Sequence, residues 1–301
     1  MTYKEHFGLR EQPFQHAPDP RFFYLTNQHE TAMAKNAFVA ENKLGLGVTM
    51  GGPGTGKTTL SRIMFQKFAD QKEFQTILLA DPAYKTDNRF LRAVIQEFEV
   101  GETQKAMQDS LDIFAKFLEQ KVAKEGKTCL LLIDHGERMK EELYAIVNDM
   151  LELRGPDKKG LLQVLVFGRH ELRDKMKDPR SGHISDKVAV SSSLEAMTFE
   201  DMVNQVHFRF HVAGLDDHPF KADALKELYI VSRGNPRAAV RLAEVAMNEA
   251  LREKRTDIHA DLVRQAEVVV GMNHEHLTLQ LDEEIKKAKK GKRGRPPKER
   301  A

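Results

Sequence analysis

Cysteine, long apolar runs and leader-like sequence are what this 301-residue chain has least of. Cys129 stands alone, so no disulfide can close within the chain. No apolar run reaches the ~18 residues that a membrane-spanning helix needs. The N-terminus, Met1-Thr-Tyr-Lys-Glu-His6, opens without the apolar stretch of a secretory leader. These absences predict a soluble protein of the reducing cytoplasm with no membrane partner. No internal repeat is visible. His207 and His211 share a helical face but lack a third ligand nearby, so no metal site of the histidine kind is expected there. What is present is ordinary for a globular protein, with 41% hydrophobic and 31% charged residues and length enough for two or three packed units. The net charge of +2 hides an asymmetry, because residues 286–301 carry nine Lys or Arg and one acid. A +8 tail leaves the remaining body at about −6, which suggests a tail that meets a polyanion.

Apolar periodicity divides the chain into four parts. Residues 1–40, with Pro13, Pro18 and Pro20 among Phe7, Phe14, Phe22, Phe23 and Tyr24, read as an ordered, extended lead-in that packs on the rest of the chain, with a helix from Thr26. Residues 41–198 alternate strands (46–50, 75–80, 128–133, 161–167 and 187–191) with helices (58–71, 88–99, 103–124 and 141–153). Such alternation implies parallel βαβ units around a sheet covered on both faces, an α/β fold. Residues 199–270 hold only helical patterns, at 199–212, 221–232, 236–252 and 259–270, and predict a small all-helical lid. Residues 271–301 form a linker and basic tail whose composition predicts disorder in the free chain.

Gly51-Gly52-Pro53-Gly54-Thr55-Gly56-Lys57-Thr58 fits G-x-x-x-x-G-K-[ST] between a strand and a helix, the context that gives the pattern its meaning. Glycines let backbone N–H groups close around phosphate oxygens. The following helix points its positive end at the anion. Gly52 through Thr59 are therefore the expected nucleotide-binding residues, with Lys57 on the β and γ phosphates and the Thr58 hydroxyl on Mg²⁺. Leu130-Leu-Leu-Ile133-Asp134 is an apolar strand ending in an acid, the Walker B form, and assigns Asp134 to the same Mg²⁺. The expected cofactors are thus ATP and Mg²⁺.

Strand, phosphate loop and Walker B acid in this order resemble AAA+ ATPases, in which a Glu usually follows the Asp to polarise the attacking water. Here His135 stands there, and Glu137 lies two residues on. Three readings stay open: Glu137 reaches the water from a shifted loop, a neutral His135 acts as a weaker base, or hydrolysis is slow and ATP is chiefly an assembly ligand. Arg169, after the fourth strand, is a γ-phosphate contact of the sensor 1 kind or a plain surface arginine. Arg237 falls in a helix's first turn, where the dipole disfavours a cation, so an anionic partner is expected and a sensor 2 role follows. Arg180 is the expected arginine finger for a neighbouring subunit.

The resemblance is closer than the AAA+ class alone. Tyr3-x-x-His6-Phe7-Gly8-Leu9-x-x-x-Pro13-Phe14, Pro18-Asp19-Pro20-Arg21-Phe22-Phe23-Tyr24-Leu25, Leu162-Gln163-Val164 through Gly168 with Glu171-Leu172-Arg173, and Gly234-Asn235-Pro236-Arg237 resemble the ATPase domain of ExeA-type (general secretion pathway A) proteins over about residues 1–270. The broader group includes transposition helper ATPases of the TniB, TnsC and phage Mu B kind, which assemble on DNA. The resemblance implies an adenine pocket lined by Tyr24, Leu25 and His29. His135 in place of Glu, and Arg169 in place of Gln, depart from the pattern and bear on hydrolysis rather than binding. The sequence also shows no membrane helix or peptidoglycan-binding region, which disfavours an envelope-embedded role.

Lys292, Arg293-Gly294-Arg295-Pro296 and Lys298 form the pattern of an AT-hook. Gly and Pro keep the backbone narrow and extended, so both arginines fit a narrow, negative A·T-rich minor groove while lysines meet phosphates. One hook binds weakly, whereas several on a ring or filament gain avidity. The sequence therefore predicts a nucleotide-dependent homo-oligomer on DNA that recruits or regulates a DNA-acting partner such as a transposase or recombinase. The alternatives are a hydrolysis-deficient ATP-bound DNA scaffold and a secretion or envelope-assembly ATPase.

Overall fold

The computed structural model describes residues 2–15, 19–101, 106–156 and 158–271. In chain order its main elements are α1 (Tyr3–His6), α2 (Asn27–Glu41), β1 (Leu46–Gly51), α3 (Lys57–Ala69), β2 (Phe74–Leu79), α4 (Asp87–Glu97), α5 (Met107–Glu119), β3 (Thr128–Ile133), α6 (Glu141–Glu152), β4 (Leu162–Gly168), α7 (Glu171–Lys177), β5 (Val188–Leu194), α8 (Phe199–Val212), α9 (Ala222–Ser232), α10 (Pro236–Arg252) and α11 (Ala260–Gly271). The α/β expectation holds, as does the absence of strands in the C-terminal part. The short α1 and α7 carry too few turns to show an apolar period and are not evident from the sequence. No helix among the described residues is long and apolar enough to cross a membrane.

The described residues divide into two compact units, one within Ala17–Phe208 that also includes Asn235–Arg237, the other drawn from the N-terminal stretch before His16, Arg209–Gly234 and the chain from Ala238 on. The first contains a five-stranded, all-parallel sheet in the order β2-β3-β4-β1-β5. β1, β3 and β4 are buried along their whole lengths, because helices cover both faces. Strand side chains alternate between those faces. Cys129, Leu131 and Ile133 join Leu46, Val48 and Met50 beneath α4, α5, α6 and α7, while Leu130, Leu132, Leu165 and Phe167 meet α2 and α3 on the other side. The lone cysteine thus lies in the core, where burial pushes its thiol up to about 12, an inert setting.

The connections decide where a ligand can sit. β1 feeds α3 on one face, and its neighbour β4 feeds α7 on the other. The loops leaving these two adjacent strands therefore part, opening a crevice at the carboxyl edge of the sheet, the topological switch point at which open parallel sheets bind ligands. β3, on the far side of β4, ends at the same edge, with Ile133 opposite Val166 and Met50 opposite Gly168.

The second unit is helical, with α9 packed on α11. The N-terminal residues belong to it: Phe14 meets Phe210 and Phe220 edge-on, the Arg10 N–H bonds the Ala213 carbonyl at 2.9 Å, and Arg209 Nη1 donates to the Pro13 carbonyl at 2.7 Å.

α3 is held on the sheet by Leu60, Met64 and Phe68, all fully buried, with Phe68 against Phe74 at a centroid distance of 4.5 Å. Phe68→Ala removes the last-turn anchor and is expected to cost about 3–5 kcal/mol of stability. Urea unfolding monitored by circular dichroism measures this, and a loss below about 1 kcal/mol would show that the helix is held in some other way.

Candidate functional site

The loop after β1 begins where Gly51 leaves the sheet and ends where α3 starts at Lys57. Gly54 and Gly56 have φ of +81° and +95°, conformations that residues with a Cβ rarely adopt. Neither has room for one. A Cβ on Gly56 would lie 2.9 Å from both His29 Nε2 and the Phe23 ring, and one on Gly54 would lie 2.6 Å from Asn235 Oδ1.

Four carbonyls of the loop are taken by side-chain donors. Lys57 Nζ donates to the Gly51 and Gly52 carbonyls at 2.9 and 2.6 Å, and Thr55 Oγ1 also donates to Gly52 at 2.9 Å. Asn235 Nδ2 donates to the Pro53 carbonyl at 2.7 Å, and His29 Nε2 pairs with the Thr55 carbonyl at 2.9 Å. These bonds fix the peptide planes of the loop from the carbonyl side. Lys57 and Thr58 open the first turn of α3, where backbone N–H groups lack helical partners and the dipole favours an anion. Thr59 follows them in that turn.

Asp134 follows the end of β3, which β4 separates from β1. Its carboxylate is buried, 3% exposed, and accepts the His135 N–H at 2.9 Å through Oδ1. His135 has φ +54°, a left-handed turn that swings the chain back toward β4. Its ring lies between two acids, with Nε2 3.8 Å from Asp134 and Nδ1 3.5 Å from Glu137. Glu137 is no free loop acid. Its carboxylate is 12% exposed, accepts the Arg169 N–H at 3.0 Å and pairs with Arg169 Nε at 3.6 Å. The turn is locked from below by the buried Tyr144, whose hydroxyl donates to the Gly136 carbonyl at 2.6 Å.

Electrostatics joins these groups. Burial holds the Lys57 ammonium below its usual range, Glu137 opposes that most strongly, Arg169 reinforces it, and Asp134 and Arg237 act more weakly in opposite senses. Lys57 thus feels the charges of Glu137, Arg169, Asp134 and Arg237 at one edge of the sheet. Arg237 is exposed and, among the described residues, pairs with no carboxylate. The donor set suits a nucleoside triphosphate with Mg²⁺: a glycine cradle, a helix start that carries Thr58, an ammonium, and the buried carboxylate of Asp134. Among the described residues no group of three or more His, Cys, Asp or Glu is placed to hold a metal ion. Magnesium needs none, because it takes one or two protein oxygens and completes its shell with phosphate and water.

Arg180 is not brought to this edge. It bonds Asp178 through Nε at 2.9 Å and Nη2 at 3.0 Å, and Glu142 at 3.3 Å. Tyr24 lies against Phe208, 5.9 Å between ring centroids, and Leu25 is partly buried beside it in sequence. The tail residues Lys292, Arg293, Gly294, Arg295, Pro296 and Lys298 lie outside the described residues. Phe23, Tyr144 and Asn235 are site neighbours to which sequence reasoning assigned no role. For Asn235 a signal existed, since Asn before Pro at a helix start is a capping pattern.

Residues 41–176 match a family model described as an AAA domain. Over 275 residues the chain is 28% identical to general secretion pathway protein A of Aeromonas hydrophila, covering 91% of this chain and 49% of that protein. The chain therefore spans about half the length of that curated relative. Among solved structures it is similar to Cdc6p of Pyrobaculum aerophilum (TM-score 0.61, 14% identity, covering 83% of this chain and 70% of the other). It is also similar to the ORC2 protein of Aeropyrum pernix in its ADPNP-ADP complexes (0.59, 16%, 85% and 71%). A third similar structure is the ORC1 protein of the same organism in complex with DNA (0.59, 15%, 83% and 67%). The fold is the P-loop AAA+ fold, a parallel five-stranded sheet followed by a helical C-terminal part.

His29 gives the site a dependence on pH. Nδ1 accepts the Thr26 N–H at 3.2 Å, so the ring hydrogen sits on Nε2 and donates to the Thr55 carbonyl. Burial lowers the pKa of this ring, opposed by the Thr55 bond and by Asp201. The unfolded chain takes up the proton near pH 6.5 while the folded chain resists it. Stability from a neutral His29 is therefore complete above about pH 6.5 and is lost as pH falls through the lower folded value. Melting temperature followed from pH 7.5 down to 5 should fall less steeply in His29→Gln, which cannot take up a proton, than in the wild type. Equal slopes would remove His29 from the account.

Proposed function

We propose that this protein binds ATP with Mg²⁺ at residues 52–59 and Asp134, hydrolyses it slowly, and uses the bound nucleotide to assemble copies of itself on DNA. The observation that carries the reading is the loop in which the Gly51, Gly52, Pro53 and Thr55 carbonyls are turned to side-chain donors, because a peptide plane held by its C=O presents its N–H on the opposite side, where phosphate oxygens are bound.

In this reading Lys57 binds the β and γ phosphates, with Thr58 and Asp134 holding the metal. Mg²⁺, when bound, neutralises charge on the phosphate oxygens. Glu137 orients and deprotonates the attacking water in place of the missing Glu at position 135. Its fixed position favours it over His135, whose ring rests between two carboxylates. Arg169 contacts the γ phosphate and Arg237 reads it from the start of α10. Arg180 would serve a neighbouring copy's nucleotide, freed from its acidic partners on assembly. Tyr24 and Leu25 line the adenine side, while His29 supports the loop. The sheet-edge cations Lys57, Arg169 and Arg237 outnumber the acids Asp134 and Glu137, which suits a polyanion.

The basic tail supplies the DNA contact through Arg293-Gly294-Arg295-Pro296, and the partner is a DNA-acting enzyme of the transposase or recombinase kind. The solved relative bound to DNA is consistent with this reading. The second reading, an ATP-bound scaffold without turnover, is favoured by His135 alone, which stands in a left-handed turn where a catalytic acid is usual.

Steady-state ATP hydrolysis, with and without A·T-rich duplex, separates the two readings. Turnover is expected in the wild type, and Glu137→Gln should lower kcat by about 10²–10⁴-fold, the usual worth of a general base. Lys57→Ala should abolish ATP binding. A Glu137→Gln variant as active as the wild type would sink the assignment of the base, and zero turnover restored by His135→Glu would establish the scaffold. For the tail, the paired change Arg293→Ala with Arg295→Ala should weaken binding to an A·T-rich duplex far more than to a G·C-rich one of equal length. An equal loss on both duplexes would mean a basic tail without groove preference.

A further inference from the structure

Of the donors that hold the phosphate loop, Asn235 is the most distant in sequence, and its one amide is used at both ends. Nδ2 donates to the Pro53 carbonyl at 2.7 Å, and Oδ1 accepts the Arg237 N–H at 3.1 Å. A rigid, planar group thus joins the apex of the loop to the first turn of α10. The sequence on each side fits this use. Pro236 occupies the first helical position and has no N–H, so the first backbone donor after Asn235 belongs to Arg237, which the amide caps. Gly54, at φ +81°, leaves the space in which the amide lies: a Cβ there would sit 2.6 Å from Asn235 Oδ1 and 3.0 Å from Arg237 Cβ. The three residues Asn235–Arg237 belong to the sheet-containing unit, although the chain on both sides of them belongs to the helical one.

We propose that Asn235 is a positioning residue that ties Arg237 to the phosphate loop, so that Arg237 distinguishes ATP from ADP only while the loop holds its phosphate-binding shape. The inference rests on the reading of residues 52–59 as the nucleotide site. The chemistry separates the amide's two roles. An aspartate keeps the acceptor for the Arg237 N–H, and its charge suits a helix start, but it has no donor for the Pro53 carbonyl. A serine also caps the helix and is too short to reach the loop.

The test is a double-mutant cycle on nucleotide affinity. Fluorescent ATP and ADP analogues are titrated with Mg²⁺ into the full chain as wild type, Asn235→Asp, Arg237→Ala and the double variant, with nucleotide-free melting temperatures recorded for each. Arg237→Ala should erase the preference for ATP over ADP. Asn235→Asp should erase it too, with Arg237 intact and the melting temperature unchanged, and should weaken ATP binding about tenfold, the order of one well-made hydrogen bond. The double variant should be no worse than the weaker single one. A wild-type ATP-to-ADP ratio in Asn235→Asp, or losses that multiply independently in the double variant, would overturn the tie. Should Asn235→Asp melt early, Asn235→Ser is read by the same criteria. Lys57→Ala distinguishes the two levels of failure, since ATP affinity unchanged in that variant overturns the nucleotide site itself.

Discussion

The orientation of the phosphate loop's peptide planes is the constraint on which the rest of the structure depends. A loop that offers its N–H groups to a ligand must place its carbonyls elsewhere, and buried carbonyls without donors are costly. Neither helix nor strand can supply those donors at a turn between the two. Side chains do so instead, two from within the motif and two from outside it. Lys57 and Thr55 hold Gly51 and Gly52, while His29 and Asn235 hold Thr55 and Pro53. Much of the surrounding fold serves these placements. Thr26 selects the tautomer of His29, Phe23 packs against its ring, and Pro236 leaves the Arg237 N–H for Asn235.

The sheet sets this loop among charges. β4 lies between β1 and β3, so the residues leaving all three strands share one edge. The parting of α3 and α7 to opposite faces keeps that edge open over β1 and β4. Lys57 is pulled toward neutrality by burial and restored chiefly by Glu137, more than by Asp134. That order is informative. The acid with the strongest hold on the phosphate-loop lysine is the one offset by two residues from the usual place, and the Arg169 N–H fixes where it points.

Much of this was legible in sequence because it rests on local patterns. The glycine-rich loop, the apolar strand ending at Asp134 and the capped helix at Thr26 each follow from neighbouring residues, and β3 falls on 128–133 as read. The strand ends elsewhere moved by one to three residues, most at β5, a partly exposed strand at the edge of the sheet. What escaped was long-range. Nothing in the order of residues says that Asn235 meets Pro53, or that Phe23 and His29 crowd Gly56, because those contacts arise only when the chain returns. Nor could spacing show that Arg180 is engaged by Asp178 and Glu142. The tail's hook pattern was read from composition and lies outside the described residues.

The substitution of His135 for the usual acid and the location of Glu137 are one structural fact rather than two. A residue with a Cβ at φ +54° is strained, at a cost of order 1–3 kcal/mol, and persists only where its surroundings over-determine it. Here they do. Asp134 accepts the His135 N–H, Tyr144 holds the Gly136 carbonyl, and Gly136 has no room for a side chain, since a Cβ would meet Val166 at 2.6 Å. The left-handed step lets the chain double back within two residues, and it carries Glu137 over Gly168, where a Cβ would lie 3.0 Å from Oε2. The strained histidine, the buried tyrosine beneath it and the two glycines are the parts by which a carboxylate two residues late is returned to the sheet edge that Lys57 shares.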